Sequence, residues 1–304
     1  MKDIEIGTAK TPGNRRLFCF GIGYSAGVLA RRLMAAGWSV AGTCQGGERR
    51  DELIAQGIDA YLFDRDRPLA DPAGALAGTT HLLCSVPPDA AGDPVLDLSG
   101  PTLATLGELQ WAGYLSTTGV YGDTGGLPVD ETAPLVPTSE RSRRRVAAET
   151  AWRSLGRDHG LPVHVFRLAG IYGPGRSVLD KVRDGSVQRI DKPGHAFGRI
   201  HVDDIAAVLM ASMTKPDPGA VYNVCDDEPA PPAEVAGFAC DLLGVTPPPV
   251  VPFAVAVTTM SPMARSFWRD NRRIDNGRIR RDLGVALSYP TYREGLRAIL
   301  AAGG

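Results

Sequence analysis

The sequence lacks metal-binding cysteine spacing and any long apolar run. Its five cysteines are scattered and form no CxxC or CxxxH pattern, which argues against a zinc site and is typical of buried thiols in a reducing compartment. No apolar stretch approaches the roughly 18 residues that a membrane span requires, and residues 1–16 contain no signal-peptide core. We therefore expect a cytoplasmic protein without a metal site.

Net charge of either sign is also nearly absent. The 304 residues include 33 basic and 34 acidic side chains, for a net charge of −1. This balance gives no basis for bulk attraction to nucleic acid or to an anionic membrane. Lysine is scarce beside arginine, and the chain is rich in Ala, Gly and Pro, so a single arginine carries little information. An apolar fraction of 43% excludes a disordered chain and allows a sizeable core.

Short apolar runs alternate with segments of helical periodicity along most of the chain. This alternation predicts an α/β fold with a Rossmann-type, doubly wound parallel sheet and a small C-terminal substrate lobe. Ligands of such sheets bind at the carboxyl ends of the strands. The predicted strands are 16–20, 38–43, 59–63, 81–86, 113–116, 163–168 and 220–224, and the predicted helices are 25–36, 49–56, 139–158, 202–213 and 291–302. The predicted units are a flexible tail at 1–15, a nucleotide-binding domain at 16–175 that returns at 200–228, and a substrate lobe at 176–199 and 229–304.

A glycine-rich turn ends the first predicted strand and opens the first predicted helix. Gly21 and Gly23 allow a tight turn that brings backbone N–H groups against a pyrophosphate, and Ala26 lets helix and strand pack closely. The strand-turn-helix context separates this pattern from an ordinary glycine turn. We expect Gly21, Gly23, Tyr24, Ser25 and Ala26 to bind a dinucleotide cofactor.

The end of the second predicted strand leaves the identity of the nucleotide open. An NAD site usually places an acid about 20 residues after the first glycine, but residues 42–45 include none. Arg49 and Arg50 could neutralise the 2′-phosphate of NADP, or they could be solvated charges at a helix start. NADP is slightly favoured over NAD. Further cofactor contacts are predicted at the strand ends, by Thr43, Arg49, Asp64, Ser85, Val86 and Pro87.

Five motifs follow the glycine turn in a fixed order. They are STTGVYG at 116–122, VDETAP at 129–134, RLAGIYGPG at 167–175, IHVDD at 200–204 and YNV at 222–224. With the turn, they make roughly residues 16–224 similar to the extended short-chain dehydrogenase/reductase superfamily, of the NAD-dependent epimerase/dehydratase type. The resemblance implies a Rossmann protein that binds NAD or NADP, and a homodimer formed through the helix at 141–158.

The same resemblance exposes a departure at the catalytic centre. The family places a Ser or Thr three residues before Val-Tyr-Gly, and Thr117 fits. About 24 residues later the family has a tyrosine and then a lysine, where this chain has Arg141 and Arg145. Arginine stays protonated at any working pH, so Arg141 cannot exchange a proton as the tyrosine does. Tyr121 and, less so, Tyr172 are alternative proton donors, unless their rings only pack near the cleft.

Basic residues cluster where the family holds its substrate. Arg141 should share a helix face with Arg144 and Arg145 that points into the cleft. Guanidinium groups suit phosphate or carboxylate, so we expect an anionic small-molecule substrate, although an arginine-rich chain could also carry a solvated basic surface. The predicted substrate-binding residues are Arg176, Lys181 and Arg199. The segment at 268–273 could line the cleft or contact a partner.

Two functions remain open on these patterns. The first is an oxidoreductase or epimerase acting on an anionic sugar-nucleotide-like or carbonyl substrate, in which Thr117 binds the reacting oxygen and Arg141 or Arg145 stabilises developing negative charge. The second is a non-catalytic NAD(P)-binding sensor or partner-binding module, which the loss of both relay residues would suit. We favour the enzyme.

Overall fold

The structure, a computed structural model, describes residues 15–303. The predicted tail at 1–15 lies outside the described residues apart from Arg15. Seven parallel strands form the main sheet, which confirms the predicted fold class. In sheet order they are β11 (Val221–Val224), β7 (Val163–Leu168), β5 (Trp111–Thr117), β4 (His81–Cys84), β1 (Arg16–Phe20), β2 (Ser39–Cys44) and β3 (Asp59–Leu62).

Helices cover both faces of this sheet, and three pairs of short strands lie outside it. The helices are α1 (Tyr24–Ala35), α2 (Gly47–Ala55), α3 (Pro72–Leu76), α4 (Pro94–Leu103), α5 (Glu140–His159), α6 (Val178–Arg183), α7 (Val202–Thr214), α8 (Pro232–Leu242), α9 (Phe253–Ala256), α10 (Pro262–Phe267), α11 (Gly277–Arg281) and α12 (Tyr292–Ala301). The short strands are β6 (Pro128–Val129), β8 (Gly170–Tyr172), β9 (Arg189–Asp191), β10 (Arg199–His201), β12 (Val250–Pro252) and β13 (Arg273–Ile274), paired as β10–β8, β12–β9 and β13–β6.

Strand β1 sits at the point where the strand order reverses. Leu17 pairs with Val40 of β2 on one side and with His81 of β4 on the other. The chain thus winds outward in both directions from β1, which opens a crevice at the carboxyl ends of β1 and β4. The glycine turn directly follows β1 and therefore lies at that crevice.

Alternate residues of β1 enter the hydrophobic clusters on the two faces of the sheet, as the period of a strand requires. Leu17 and Cys19 belong to the cluster that α1 and α7 cover, whereas Phe18 and Phe20 belong to the cluster that α4 and α5 cover. All four side chains are fully buried. The strand is therefore anchored from both faces, which fixes the position of the turn that follows it.

The C-terminal part divides between the lobe and the sheet. Helices α6, α8 and α12 share a separate apolar cluster around Leu179 and Tyr292. In contrast, Ile279, Leu283 and Val285 join the cluster on the α1 and α7 face of the sheet. Part of the segment that the sequence assigns to the lobe thus packs on the nucleotide-binding domain.

The structure also bears on the cysteines and on the lack of long apolar runs. All five cysteines are buried and free, as the scattered spacing predicts. Within residues 15–303, no helix combines the length and the apolar character needed to cross a membrane.

Candidate functional site

A cleft of about 1110 Å³ opens at the carboxyl ends of the central strands, between the sheet and the lobe. It exceeds the roughly 300–1,000 Å³ typical of a pocket for one small ligand. There is accordingly room for a dinucleotide together with a second molecule. Residues from the glycine turn, from the end of β5, from α5 and from the lobe all line it.

Two hydroxyl groups hold the glycine turn in place. The amide of Gly21 donates to Thr43 Oγ1 at 2.8 Å, and Ser85 Oγ donates to the carbonyl of Gly21 at 2.5 Å. Gly21 has a φ of +85°, and a Cβ there would lie 2.9 Å from Ser85 Oγ, so only glycine fits. Thr43 is buried and Ser85 reaches the cleft. Both side chains therefore position the turn, and direct contact of Thr43 with a cofactor stays a prediction.

The N-terminus of α1 faces the cleft without a cap. Its N-cap residue is Gly23, which supplies no side-chain hydrogen bond, and a Cβ on Gly23 would meet nothing within 4 Å. The first amides of a helix have no intrahelical partner, and Tyr24, Ser25 and Ala26 line the cleft. Open amides and the positive end of a helix suit an anion. These residues fit the pyrophosphate of a dinucleotide.

Tyr24 also links α1 to the start of the lobe. Its hydroxyl donates to the carbonyl of Pro174 at 3.0 Å, and the Arg176 guanidinium lies over its ring at 5.5 Å. Burial raises the pKa of Tyr24, so the hydroxyl keeps its proton for this hydrogen bond. The contact joins the two walls of the cleft at its mouth.

The predicted contacts near the ends of β2 and β3 are engaged in ion pairs. Arg49 pairs with Glu52 at 2.7 Å, and Arg50 pairs with Asp51 at 2.9 Å. The Asp64 carboxylate accepts from Arg67 at 2.7 Å, which lowers the pKa of Asp64. All of these residues lie outside the cleft lining. Their contact with a cofactor stays a prediction.

Val86 and Pro87 follow Ser85 at the end of β4. Val86 packs against the apolar cluster on the α4 and α5 face, and its Cγ2 would lie 3.2 Å from a Cβ on Gly21. Like Ser85, it therefore restricts the turn to glycine. Neither Val86 nor Pro87 belongs to the cleft lining, so their predicted contact with a cofactor is untested.

Thr117 ends β5 in the cleft. Its Oγ1 accepts from the amide of Gly119 at 3.1 Å and so caps the 3₁₀ turn Thr118–Tyr121. The Thr117 hydroxyl proton is not used in that contact. Thr117 can therefore donate a hydrogen bond to a ligand oxygen in the cleft.

Tyr121 lies elsewhere, behind this strand end. Its side chain is 2% exposed, its hydroxyl donates to Asn223 Oδ1 at 2.7 Å, and it accepts from Arg167 Nη1 at 2.8 Å. Burial raises the pKa of Tyr121, and the residue does not line the cleft. This placement contradicts the prediction that Tyr121 donates a proton to a substrate, because both its hydrogen bonds are internal.

Tyr172 reaches the cleft from β8 but is similarly engaged. Its hydroxyl donates to the carbonyl of Thr291 at 3.4 Å, and burial raises its pKa far above the ordinary value. A proton held this strongly is a poor one for general acid catalysis near neutral pH.

A buried ion pair fixes α5 against the sheet. Glu149 of α5 accepts from Arg167 of β7 at 2.8 Å and from Ser116 of β5 at 2.5 Å, and both charged side chains are almost fully buried. The pair sets the position of α5 beside β5. Helix α5 carries Arg141 and Arg145.

Arg141 and Arg145 both line the cleft, as their helical spacing predicts. Arg145 Nη1 donates to the carbonyl of Leu115 at 2.7 Å, and the Arg141 guanidinium lies over the Phe267 ring at 5.9 Å. Among residues 15–303, no carboxylate pairs with either arginine. Arg144 does not share their face as predicted, since it pairs with Glu140 at 3.3 Å outside the cleft.

Further cations line the lobe side. Arg176, Lys181 and Arg199 all reach the cleft, although Arg199 Nη1 is already bonded to the carbonyls of Phe197 and Ala230. Arg272, which the sequence does not single out within the 268–273 segment, lines the cleft and pairs with Asp270 at 2.8 Å. The 268–273 segment thus lines the cleft, one of its two predicted locations.

The comparisons with known proteins agree with this geometry. Residues 110–225 match the model of the NAD-dependent epimerase/dehydratase family. Protein YeeZ of Escherichia coli K12 is 27% identical over 288 residues, covering 91% of this chain and 97% of YeeZ. These matches confirm the resemblance to the extended short-chain dehydrogenase/reductase superfamily, and residues 110–225 are the part that is similar to the NAD-dependent epimerase/dehydratase family.

Two solved structures are similar over nearly the whole chain. A functionally unknown conserved protein from Silicibacter pomeroyi DSS is 50% identical, with a TM-score of 0.88, and the match covers 95% of this chain and 99% of that one. The dTDP-glucose 4,6-dehydratase DesIV of Streptomyces venezuelae, solved with NAD bound, is 18% identical with a TM-score of 0.71, covering 93% and 96%. The second likeness establishes the shared fold alone.

Proposed function

We propose that this chain is an NAD(P)-dependent oxidoreductase or epimerase acting on an anionic carbonyl or sugar-nucleotide-like substrate. One observation carries the proposal. A single cleft contains the uncapped N-terminus of α1, the free hydroxyl proton of Thr117, and two arginines that pair with no carboxylate of residues 15–303. The first feature suits a dinucleotide, and the other two suit a reacting oxygen that gains negative charge.

The cofactor would be held by the turn and by α1. The amides of Tyr24, Ser25 and Ala26 would bind the pyrophosphate, and Gly23 leaves room for it. Preference for NADP rests on Arg49 and Arg50 at the start of α2, which would exchange Glu52 and Asp51 for the 2′-phosphate. When bound, the nicotinamide ring supplies or accepts the hydride.

The protein groups would act on the substrate oxygen. Thr117 donates a hydrogen bond to it, while Arg141 and Arg145 stabilise the negative charge that develops there. Neither arginine gives up its proton. In the reducing direction, hydride adds to the carbonyl carbon and a proton from water adds to the oxygen, which completes the alcohol.

Turnover separates this enzyme from a non-catalytic sensor. Purified protein is mixed with NADPH or NADH and a panel of anionic carbonyl compounds, and the absorbance of the reduced nicotinamide is followed. We expect Thr117→Val to lower kcat/KM by about 10²-fold or more, as for other oxyanion-stabilising donors, and Thr117→Ser to recover most of it. Dinucleotide affinity should not change.

Thr150→Val is the matched control, because the Thr150 hydroxyl donates to the carbonyl of Val146 on the same helix and Thr150 lies outside the cleft. It should retain wild-type turnover. Tight dinucleotide binding with no turnover of any panel member would reject the enzyme in favour of the sensor. Equal turnover of Thr117→Val and the wild type would reject the role of Thr117.

A further inference from the structure

We propose that the anionic group of the substrate is a carboxylate attached beside the reacting carbon, so that the substrate is an oxo acid or the corresponding hydroxy acid. This inference rests on the proposed function and narrows its substrate class. It places Arg141 and Arg145 on the carboxylate and Thr117 on the adjacent carbonyl oxygen, so that the two arginines still stabilise, from the neighbouring carbon, the negative charge that develops on that oxygen.

Position is the first argument. Arg145 Nη1 donates to the carbonyl of Leu115, two residues before Thr117 on the same strand. The Arg145 guanidinium is thus held at the end of β5 that carries Thr117, and both residues line the cleft. Arg141 precedes Arg145 by one helical turn, so the two side chains are neighbours on the cleft face of α5.

Unused donors are the second argument. Within the described residues, Arg145 donates hydrogen bonds from Nη1 alone, to the carbonyl oxygen of Leu115 and to Tyr114 Oη at 3.1 Å. Arg141 contacts the ring of Phe267 but makes no hydrogen bond within the described residues. Each guanidinium therefore keeps two adjacent N–H groups, the arrangement that binds both oxygens of a carboxylate.

Charge is the third argument. Burial and the neighbouring Arg145 lower the pKa of Arg141, because two like charges lie close together without a counterion. A carboxylate between them would supply that counterion, whereas a neutral carbonyl would not. In a nucleoside diphosphate sugar, the phosphates lie several bonds from a reacting ring carbon, and their charge would fall elsewhere in the cleft.

The other basic side chains of the cleft are less suited to bind the substrate carboxylate than Arg141 and Arg145. Arg272 is neutralised by Asp270, and Arg199 is bonded to backbone carbonyls. Arg176 and Lys181 are exposed on the lobe side of the cleft. Phe267 lies against Arg141, and Ala264 and Trp268 also line the cleft. An apolar wall there suits an oxo acid with an apolar substituent.

The test uses the full chain and two anionic probes. NADH or NADPH is first titrated into the protein, and the saturated complex is then titrated with oxalate or with UDP while intrinsic tryptophan fluorescence is followed, to which Trp268 contributes from the cleft lining. Oxalate resembles a 2-oxo acid in size and places a carboxylate directly beside a second carbon that carries a carbonyl oxygen, and UDP represents the nucleotide part of a sugar nucleotide. We expect oxalate to bind the complex more tightly than UDP.

Variants on α5 locate the binding site. Arg141→Met should weaken oxalate binding by roughly tenfold or more, the usual loss for a charged hydrogen bond. Because Arg141 makes no internal hydrogen bond, this variant should fold. Arg145→Lys keeps the charge but loses the fork, and should weaken oxalate by a similar factor. Arg144→Met is the matched control, since Arg144 pairs with Glu140 outside the cleft, and it should bind oxalate normally.

The outcomes are distinct. If neither dinucleotide binds, the proposed function fails and the inference fails with it. If a dinucleotide binds but oxalate does not, or if oxalate binds equally to Arg141→Met, the carboxylate inference is overturned while the proposed function stands. If UDP binds more tightly than oxalate and its binding depends on Arg141, the arginines serve a phosphate, which also overturns it.

Discussion

The buried pair of Glu149 and Arg167 allows the sharpest prediction about stability. Glu149→Gln preserves shape but removes the negative charge, and it leaves the Arg167 guanidinium, 3% exposed, without a counterion. Arg167 donates to Glu149 from Nε at 3.2 Å and from Nη2 at 2.8 Å. Breaking a buried pair of this kind costs about 3–5 kcal/mol. We expect Glu149→Gln to lose that much of its free energy of unfolding.

A double-mutant cycle tests the reason for this loss. Arg167→Met alone leaves a buried carboxylate and should be destabilising too. The double variant Glu149→Gln/Arg167→Met contains no buried charge, and its loss should be smaller than the sum of the two by at least about 2 kcal/mol. The assay is equilibrium urea unfolding followed by fluorescence. Additive losses, or a loss below about 1 kcal/mol for Glu149→Gln, would refute the reasoning.

Two further predictions concern Asp226 and Gly23. Neither carboxylate oxygen of buried Asp226 has a hydrogen-bond partner among residues 15–303, and burial raises its pKa to about 8. The folded protein therefore holds a proton that the unfolded chain releases near pH 4, so wild-type stability should fall as the pH rises from about 4 to about 8. Asp226→Asn should lose this part of the pH dependence in urea unfolding, and an unchanged pH profile would contradict the assignment. Gly23→Asp should keep or raise the thermal unfolding midpoint, because aspartate is a good N-cap and a Cβ at Gly23 meets nothing within 4 Å; a clear fall would contradict the open geometry.

Local patterns predicted much of the fold. Strands 16–20 and 163–168 have the predicted bounds, and α1 begins one residue before its prediction. These elements combine strong apolar periodicity with clear punctuation by glycine. Helix α4 was not predicted, although Asp93 caps it and Pro94 occupies its first turn, because Pro101 and Gly100 interrupt its pattern.

The site was less predictable where a side chain's direction depends on distant residues. The spacing on α5 brought Arg141 and Arg145 to the cleft, but it also predicted Arg144 there, and Glu140 draws that side chain away. The hydroxyl of Tyr121 is directed by Arg167 and Asn223, which are 46 and 102 residues away. No local signal contains such contacts. Arg272 likewise reaches the cleft only because the 268–273 segment folds back over it.

Isothermal calorimetry with NADH and NADPH tests the central claim most directly. The account predicts that the wild type binds at least one of the two at one site. Gly23→Asp should bind neither measurably, because its carboxylate would occupy the pyrophosphate position at the N-terminus of α1. Gly107→Asp is the control, since a Cβ at Gly107 also meets nothing within 4 Å and that residue lies outside the cleft. Absence of binding to the wild type, or equal binding to wild type and Gly23→Asp, would contradict the account.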